Sequence, residues 1–415
     1  MYGARQVGKT YLLREFGRTH YDNVAYVNLE TNRSAAAYFA DDISPTKLVQ
    51  FLETETGQRI LPERTLIILD EIQSTPRALT SLKYFAEEAP SFHIAGAGSL
   101  LGVALNREEQ SYPVGNVTSL TLHPLDFEEF LWAMGEDRLA EAISQAFIDN
   151  TPLPAALHQR GLDIYRQYLV VGGMPRAVNE FLTTSSLLTV GDIQRGIVND
   201  YTADMAKYAS ASEAVKIRAA YSSLPAQLAK DNRKFQYKVA LRGGTASTFG
   251  VAIDWLTYAG IALRCDRVTD PAVPLSAYRD MVSFKLYMGD TGLLTLASET
   301  PISVLINPGS DTRFLGAITE NYVAQTLTAN QVPLYYWAND GRAEIDFLIQ
   351  ADRDIVPIEV KSSMHTRSRS LSLFTEQYDT AYSIRLSTKN FGHDNSIKSV
   401  PLYAAHCIRS SGRFL

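Results

Sequence analysis

Gly3, Gly8, Lys9 and Thr10, in the opening stretch MYGARQVGKT, have the spacing Gly-x-x-x-x-Gly-Lys-Thr. That spacing suits a loop that cradles phosphates. The glycines let the backbone bend so that successive N–H groups face an anion, and a helix beginning near Lys9 adds its positive dipole end. Ala4, Arg5, Gln6 and Val7 supply the remaining backbone of the loop. Lys9 would reach the β- and γ-phosphates of ATP, and Thr10 would offer its hydroxyl to Mg²⁺.

A second pair of groups lies about sixty residues on. Residues 65–70, TLIILD, form an apolar run that ends in Asp70 and is followed by Glu71. Asp70 would hold Mg²⁺ through water, and Glu71 would orient or deprotonate an attacking water. The alternative is a strand capped by two solvated acids. Ser99, at the end of the next short strand, is placed to sense the γ-phosphate or simply to cap a helix. These residues together make a site for Mg²⁺-ATP, with Lys9, Asp70 and Glu71 in the catalytic roles.

The last hundred residues hold a different set. Residues 343–349, AEIDFLI, and 355–361, IVPIEVK, read as two strands of a hairpin. By the period of two, Asp346 shares a face with Glu344, and Glu359 shares one with Lys361. Asp346, Glu359 and Lys361 then fall on one surface, with Glu320 reaching in from the preceding helix. Two carboxylates and a lysine in that order are the groups of a metal-dependent nuclease, in which the acids bind Mg²⁺ and the lysine orients water. Ordinary charges on one face of a sheet, with Lys361 paired to a carboxylate, are the alternative.

The elements that must position these groups follow from the hydrophobic pattern. Strands are expected at 23–29, 65–70, 92–95 and 117–122, with helices from Lys9, at 45–55 behind Ser44 and at 76–88. That alternation belongs to an α/β parallel sheet. A phosphate loop ordinarily leaves a buried strand, and only Met1 and Tyr2 precede Gly3. A truncated chain, a late start codon or some other anchor of the loop would each account for it.

Residues 136–210 read as a helical lid and connector that turns at 168–176, YLVVGGMPR, where two glycines and a proline set a corner. Residues 211–305 read as helices followed by a two-stranded ribbon, a winged-helix pattern. Its stretch 230–242 carries Lys230, Arg233, Lys234, Lys238 and Arg242 against Asp231. Duplex binding is one use of such a unit, and packing or protein contact the other. Residues 306–415 form the last domain, and residues 1–135 the first.

Composition bounds the rest. Lysine and arginine number 39 against 45 aspartates and glutamates, a net charge of −6. Any nucleic-acid surface must therefore be local. The two cysteines have no metal-binding spacing, and no apolar run is long enough to cross a membrane. The expectation is a cytoplasmic protein with no membrane partner.

Taken together, GARQVGKT at residues 3–10, LDEIQ at 69–73, AGSLLG at 97–102, PLDFEEFL at 124–131 and YLVVGGMPRAV at 168–178 resemble the prokaryotic AAA-type ATPases. FKLYMGDTGLL at 284–294, GAITENYVAQTL at 316–327, EIDFLI at 344–349 and PIEVKSS at 357–363 are similar to the domain of unknown function commonly fused to them. The resemblance implies a phosphate-loop core with a helical lid, a winged-helix element and a restriction-endonuclease-like α/β domain. It also implies that Gly173 and Pro175 lie beside the adenine, and that copies of the chain associate. Asn116 stands where the family often has a basic residue, so Arg107 and Arg176 become the candidates for stabilising transition-state charge. Three functions follow: an ATP-driven switch whose C-terminal half engages DNA or a protein, a nuclease gated by ATP, and an interaction protein that does not hydrolyse nucleotide.

Overall fold

The computed structural model describes residues 1–105, 115–307, 313–339, 343–363 and 369–409. Arg107 lies outside the described residues. The chain divides into two compact units, Met1–His123 with Tyr258–Gly260, and Pro124–Thr257 with Ile261–Leu415.

The first unit is built on β1 (Asn23–Asn28), β2 (Thr65–Asp70) and β3 (His93–Gly96), all parallel in that order. β2 lies in the centre and all six of its residues are buried. This is why its sequence is apolar without alternation. Ile67 and Leu69 face a core with Val27, Phe39, Leu52 and Phe85. Leu66 and Ile68 face the other way, toward Leu13 of helix α1 (Lys9–His20). The unit is thus a sheet with helices on both faces, as the strand and helix alternation requires.

Met1 and Tyr2 continue this sheet beyond β3. The Met1 amino group donates to the Gly96 carbonyl at 2.6 Å. On the other side the Tyr2 N–H donates to Leu120 O at 2.8 Å, and the Leu122 N–H donates to Tyr2 O at 3.0 Å. The strand expected at 117–122 is reduced to one parallel bridge, Tyr2 with Thr121.

The second unit opens with helices, including Ala155–Val171, Pro175–Thr184, Leu187–Tyr208 and Ala211–Leu228. It then forms an eight-stranded mixed sheet from β4 (Ala262–Val268), β5 (Arg279–Met288), β6 (Tyr335–Asn339), β7 (Ala343–Ala351), β8 (Asp354–Val360), β9 (Ser383–Ser387), β10 (Gly392–Asp394) and β11 (Ile397–Pro401). The order is β10-β11-β9-β8-β7-β6-β4-β5. The two-stranded ribbon expected as a wing is β4 and β5, which do pair antiparallel. β4 also pairs in parallel with β6. The ribbon is therefore the end of the C-terminal sheet rather than a free wing.

Candidate functional site

Gly3 and Gly8 have φ of 131° and 97°, and Gln6 between them has φ of 68°. These left-handed angles turn the loop around Lys9. At Gly3 only glycine fits, because a Cβ would stand 2.1 Å from the Leu122 carbonyl oxygen. Gly8 is the N-cap of α1 and provides no side-chain cap, so the first N–H groups of the helix are left for another acceptor. Lys9 is buried, and its Nζ donates to the Gly3 and Ala4 carbonyls, each at 2.8 Å. The loop thus holds its own lysine at the mouth of the helix.

Thr10 meets the end of β2. Its Oγ1 donates to Asp70 Oδ2 at 2.8 Å, and the Tyr26 hydroxyl donates to the same oxygen at 2.9 Å. The Glu71 N–H donates to Asp70 Oδ1 at 3.0 Å. Asp70 is thereby fixed by three neutral donors. Tyr26 is in turn covered by the Arg14 guanidinium, 3.7 Å from its ring centre. Burial, and then the hydrogen bond to Asp70, raise the Tyr26 hydroxyl above its usual pKa, so it stays a donor.

Glu71 has φ of 48°, a left-handed angle that costs a non-glycine residue about 1–3 kcal/mol. The turn swings its carboxylate toward Ser99 and Gln73. Ser99 Oγ donates to Glu71 Oε2 at 3.2 Å, and Gln73 Nε2 donates to it at 2.6 Å. Gly98 gives Gln73 the room to do this, since a Cβ there would stand 1.9 Å from its amide oxygen. The structure therefore brings together Lys9, Thr10, Asp70, Glu71 and Ser99. Tyr26 and Gln73 complete the group, and neither stands out in the sequence. Tyr26 reads as one aromatic in an alternating strand, and Gln73 as a residue of the turn.

The residues present fit Mg²⁺-ATP. The uncapped helix N-terminus and Lys9 suit phosphates, and a hydroxyl bonded to a carboxylate suits a hard cation that prefers oxygen ligands.

Gly173 and Pro175 lie in the second unit. The Gly173 N–H donates to Asp290 Oδ2 at 2.7 Å, and the Leu293 N–H donates to Asp290 Oδ1 at 3.0 Å. Gly172 has φ of 70°, and a Cβ there would meet Asp290 Oδ1 at 2.3 Å. The sequence corner is thus clamped on a fully buried carboxylate. Burial pushes the Asp290 carboxyl up to about 6, and the amides that bond it oppose that rise. Pro175 opens the helix Pro175–Thr184, and Arg176 follows it.

In the eight-stranded sheet, Phe347 of β7 faces Ile358 of β8. One step further along this antiparallel register, Asp346 stands across from Glu359. Their side chains are engaged separately. Asp346 Oδ2 accepts from the Val360 N–H at 2.8 Å. Glu359, buried, is 3.0 Å from Lys361 Nζ and 3.7 Å from Arg385 Nε. Glu320 is gathered elsewhere, by Lys285 at 2.9 Å, by Arg233 and by the Tyr287 hydroxyl. Lys285 is fully buried and also pairs with Glu344 at 2.5 Å. Among the described residues, no three histidines, cysteines, aspartates or glutamates are grouped to hold a metal ion.

Three family models match the chain. Residues 1–131 match the AAA domain. Residues 162–301 and 315–405 match two domains of unknown function, DUF8612 and DUF4143. Apart from Tyr258–Gly260, both of these fall within the second unit, β4 and β5 in one and β6 to β11 in the other. Among solved structures the chain is similar to a Walker-type ATPase of Pyrococcus abyssi, at 14% identity and a TM-score of 0.43, over 71% of this chain and 89% of that one. None of the curated proteins compared with the chain matches it. The loop at residues 3–10 and the match of residues 1–131 to the AAA domain agree on a phosphate-loop α/β fold at the amino-terminal end. Among the described residues no helix is long and apolar enough to cross a membrane.

Proposed function

We propose that the chain binds ATP with Mg²⁺ at residues 3–10 and hydrolyses it. The observation that carries this reading is the bond from Thr10 to Asp70, with Glu71 turned out beside it toward Ser99. Gly8, Lys9 and the start of α1 hold the phosphates. Thr10 and Asp70 hold Mg²⁺, which when bound neutralises charge on the transferring phosphoryl group. Glu71, kept in place by Ser99 and Gln73, accepts a proton from the attacking water. Gly173 and Pro175 as adenine contacts, and Arg176 as a source of positive charge, are part of the same reading and rest on the family resemblance.

The second unit receives the output and engages a nucleic acid or protein partner. The basic stretch 230–242, with Lys238 and Arg242 exposed, supports this. Mg²⁺-ATP titration and phosphate release on the intact chain test the proposal. Lys9→Ala is expected to weaken ATP binding about 100-fold or more. Glu71→Gln is expected to keep binding and lower turnover by about 10²–10⁴-fold, the range for a lost general base. Failure of the intact chain to bind Mg²⁺-ATP overturns the reading.

A further inference from the structure

In a metal-dependent nuclease, two carboxylates and a lysine are completed by a divalent cation. The acids of the C-terminal sheet already hold a cation, and it belongs to the chain. Lys285 stands on β5 in the run 283–288, all of which is buried. Its Nζ is 2.9 Å from Glu320 Oε1 and 2.5 Å from Glu344 Oε1. The centre of the Tyr336 ring lies 4.9 Å from the same Nζ and closes a third side. A compact positive charge bridging two carboxylates has the surroundings of a bound cation, made here from a side chain.

Separate elements converge on this ammonium. Glu320 belongs to the helix Arg313–Ala329, Glu344 to β7 and Tyr336 to β6. Lys285 and Tyr287 lie two apart on β5, so their side chains share a face. The Tyr287 hydroxyl accordingly donates to the same Oε1 of Glu320 that Lys285 meets. Glu320 Oε2 pairs with Arg233. Both oxygens of Glu320 are thus engaged, one of them twice. The charges balance as well, since Glu320 and Glu344 face one ammonium and one guanidinium. A divalent ion added to this set would bring two uncompensated positive charges to a largely buried place. The Glu344 side chain is 34% exposed, so an ion has a way in, and what bars it is the charge already there. On β8 the pattern repeats. Glu359 Oε1 is paired with Lys361, and Asp346 Oδ2 is taken by the Val360 amide.

We infer that the Lys285 ammonium takes the place of a divalent cation between Glu320 and Glu344, and that the nuclease-like acids of this sheet hold no metal and cut no phosphodiester. The lysine instead ties the helix Arg313–Ala329 to β5 and β7. The inference stands apart from the nucleotide reading, since Lys285 and both acids lie in the second unit.

The test is thermal denaturation of the parent chain, of Lys285→Ala, and of Lys285→Ala combined with Glu344→Gln. Each is measured without nucleotide, with and without Mn²⁺ at about 5 mM. Mn²⁺ is the probe because it takes oxygen ligands. Removing the ammonium opens the two acids to it. Mn²⁺ is expected to raise the Tm of Lys285→Ala by about 3 °C more than it raises that of the parent, and the double variant is expected to lose that gain. If Lys285→Ala does not fold, Lys285→Asn, which is short and offers an oxygen of its own, carries the same comparison. Equal shifts in the parent and the single variant overturn the inference, as does a gain that the double variant keeps. Mn²⁺-dependent nicking of plasmid DNA by the parent, abolished by Glu320→Gln or Glu359→Ala, also overturns it, because the acids would then hold a metal with the lysine in place. Comparison with the parent cancels any ion bound at Thr10 and Asp70, so these outcomes are independent of whether the chain binds ATP.

Discussion

Two groups of acids, one in each unit, are held in opposite ways. In the first, Asp70 and Glu71 are held by a threonine, a tyrosine, a serine, a glutamine and a backbone amide. In the second, Glu320, Glu344 and Glu359 are held by Lys285, Arg233, Lys361 and Arg385. Neutral donors fix a carboxylate without cancelling its charge, so Asp70 and Glu71 keep their charge for a cation or a proton. Cationic partners cancel it. A carboxylate bonded to lysine and arginine in a buried place gains little from an incoming metal, which would first have to displace them. The same residue types thus make a receptive site in one unit and a self-satisfied one in the other.

The largest expected effect comes from breaking the second arrangement. Lys285→Met removes a fully buried cation from between Glu320 and Glu344. Leaving the buried Glu320 carboxylate short of this partner costs about 3–5 kcal/mol. For a unit of this size that is a fall in Tm of roughly 10 °C, read by thermal denaturation. Affinity for Mg²⁺-ATP in the surviving folded protein is expected to be unchanged. Unaltered stability would show that the cation is not what holds these acids, and would remove the contrast.

Asp290 sharpens the contrast, because it is a buried acid of the second unit bonded by amides. Burial raises its carboxyl to about 6 from an ordinary value of 3.8, against the amides that bond it. Between those values the folded state binds more protons than the unfolded one. The contribution of this group to stability is therefore fully present below about 3.8, and is lost as pH rises to about 6. Across the whole window it is worth at most about 3 kcal/mol. Asp290→Asn is expected to flatten the fall of Tm between pH 4 and 6, relative to the parent chain measured in the same buffers. An identical slope in both proteins would mean that other groups set it.

Parts of this arrangement were legible in the sequence for physical reasons. The run TLIILD had to be a central strand, since six residues without alternation bury both faces. The Gly-Lys-Thr spacing and the acids ending that strand pointed to one another because a parallel sheet brings its loop and strand ends to one edge. Lys285 was the missed signal, a lysine inside the apolar run FKLYM, where only a buried acid could satisfy it. The merging of β4 and β5 into the C-terminal sheet was not legible. Alternation states that a strand is paired, and the choice of partner is fixed by contacts far along the chain. The strand expected at 117–122 has the pattern and makes one bridge, Tyr2 with Thr121.

The smallest effect tests the neutral side of the comparison. Tyr26→Phe removes one of the three donors to Asp70 and leaves Thr10 and the Glu71 amide in place. A hydrogen bond to a charged carboxylate contributes about 1.5–3 kcal/mol. With Tyr26 partly exposed and two other donors left on Asp70, the stability loss should lie at the low end, about 1.5 kcal/mol, and below that of Lys285→Met. Affinity for Mg²⁺-ATP should fall by less than about tenfold, because Asp70 retains its charge and its bond from Thr10. Calorimetric titration of the variant and the parent measures both the affinity and the enthalpy. A loss as large as that of Lys9→Ala would mean that Tyr26 contacts the ligand directly. Neutral donors would then be part of the binding surface rather than its support.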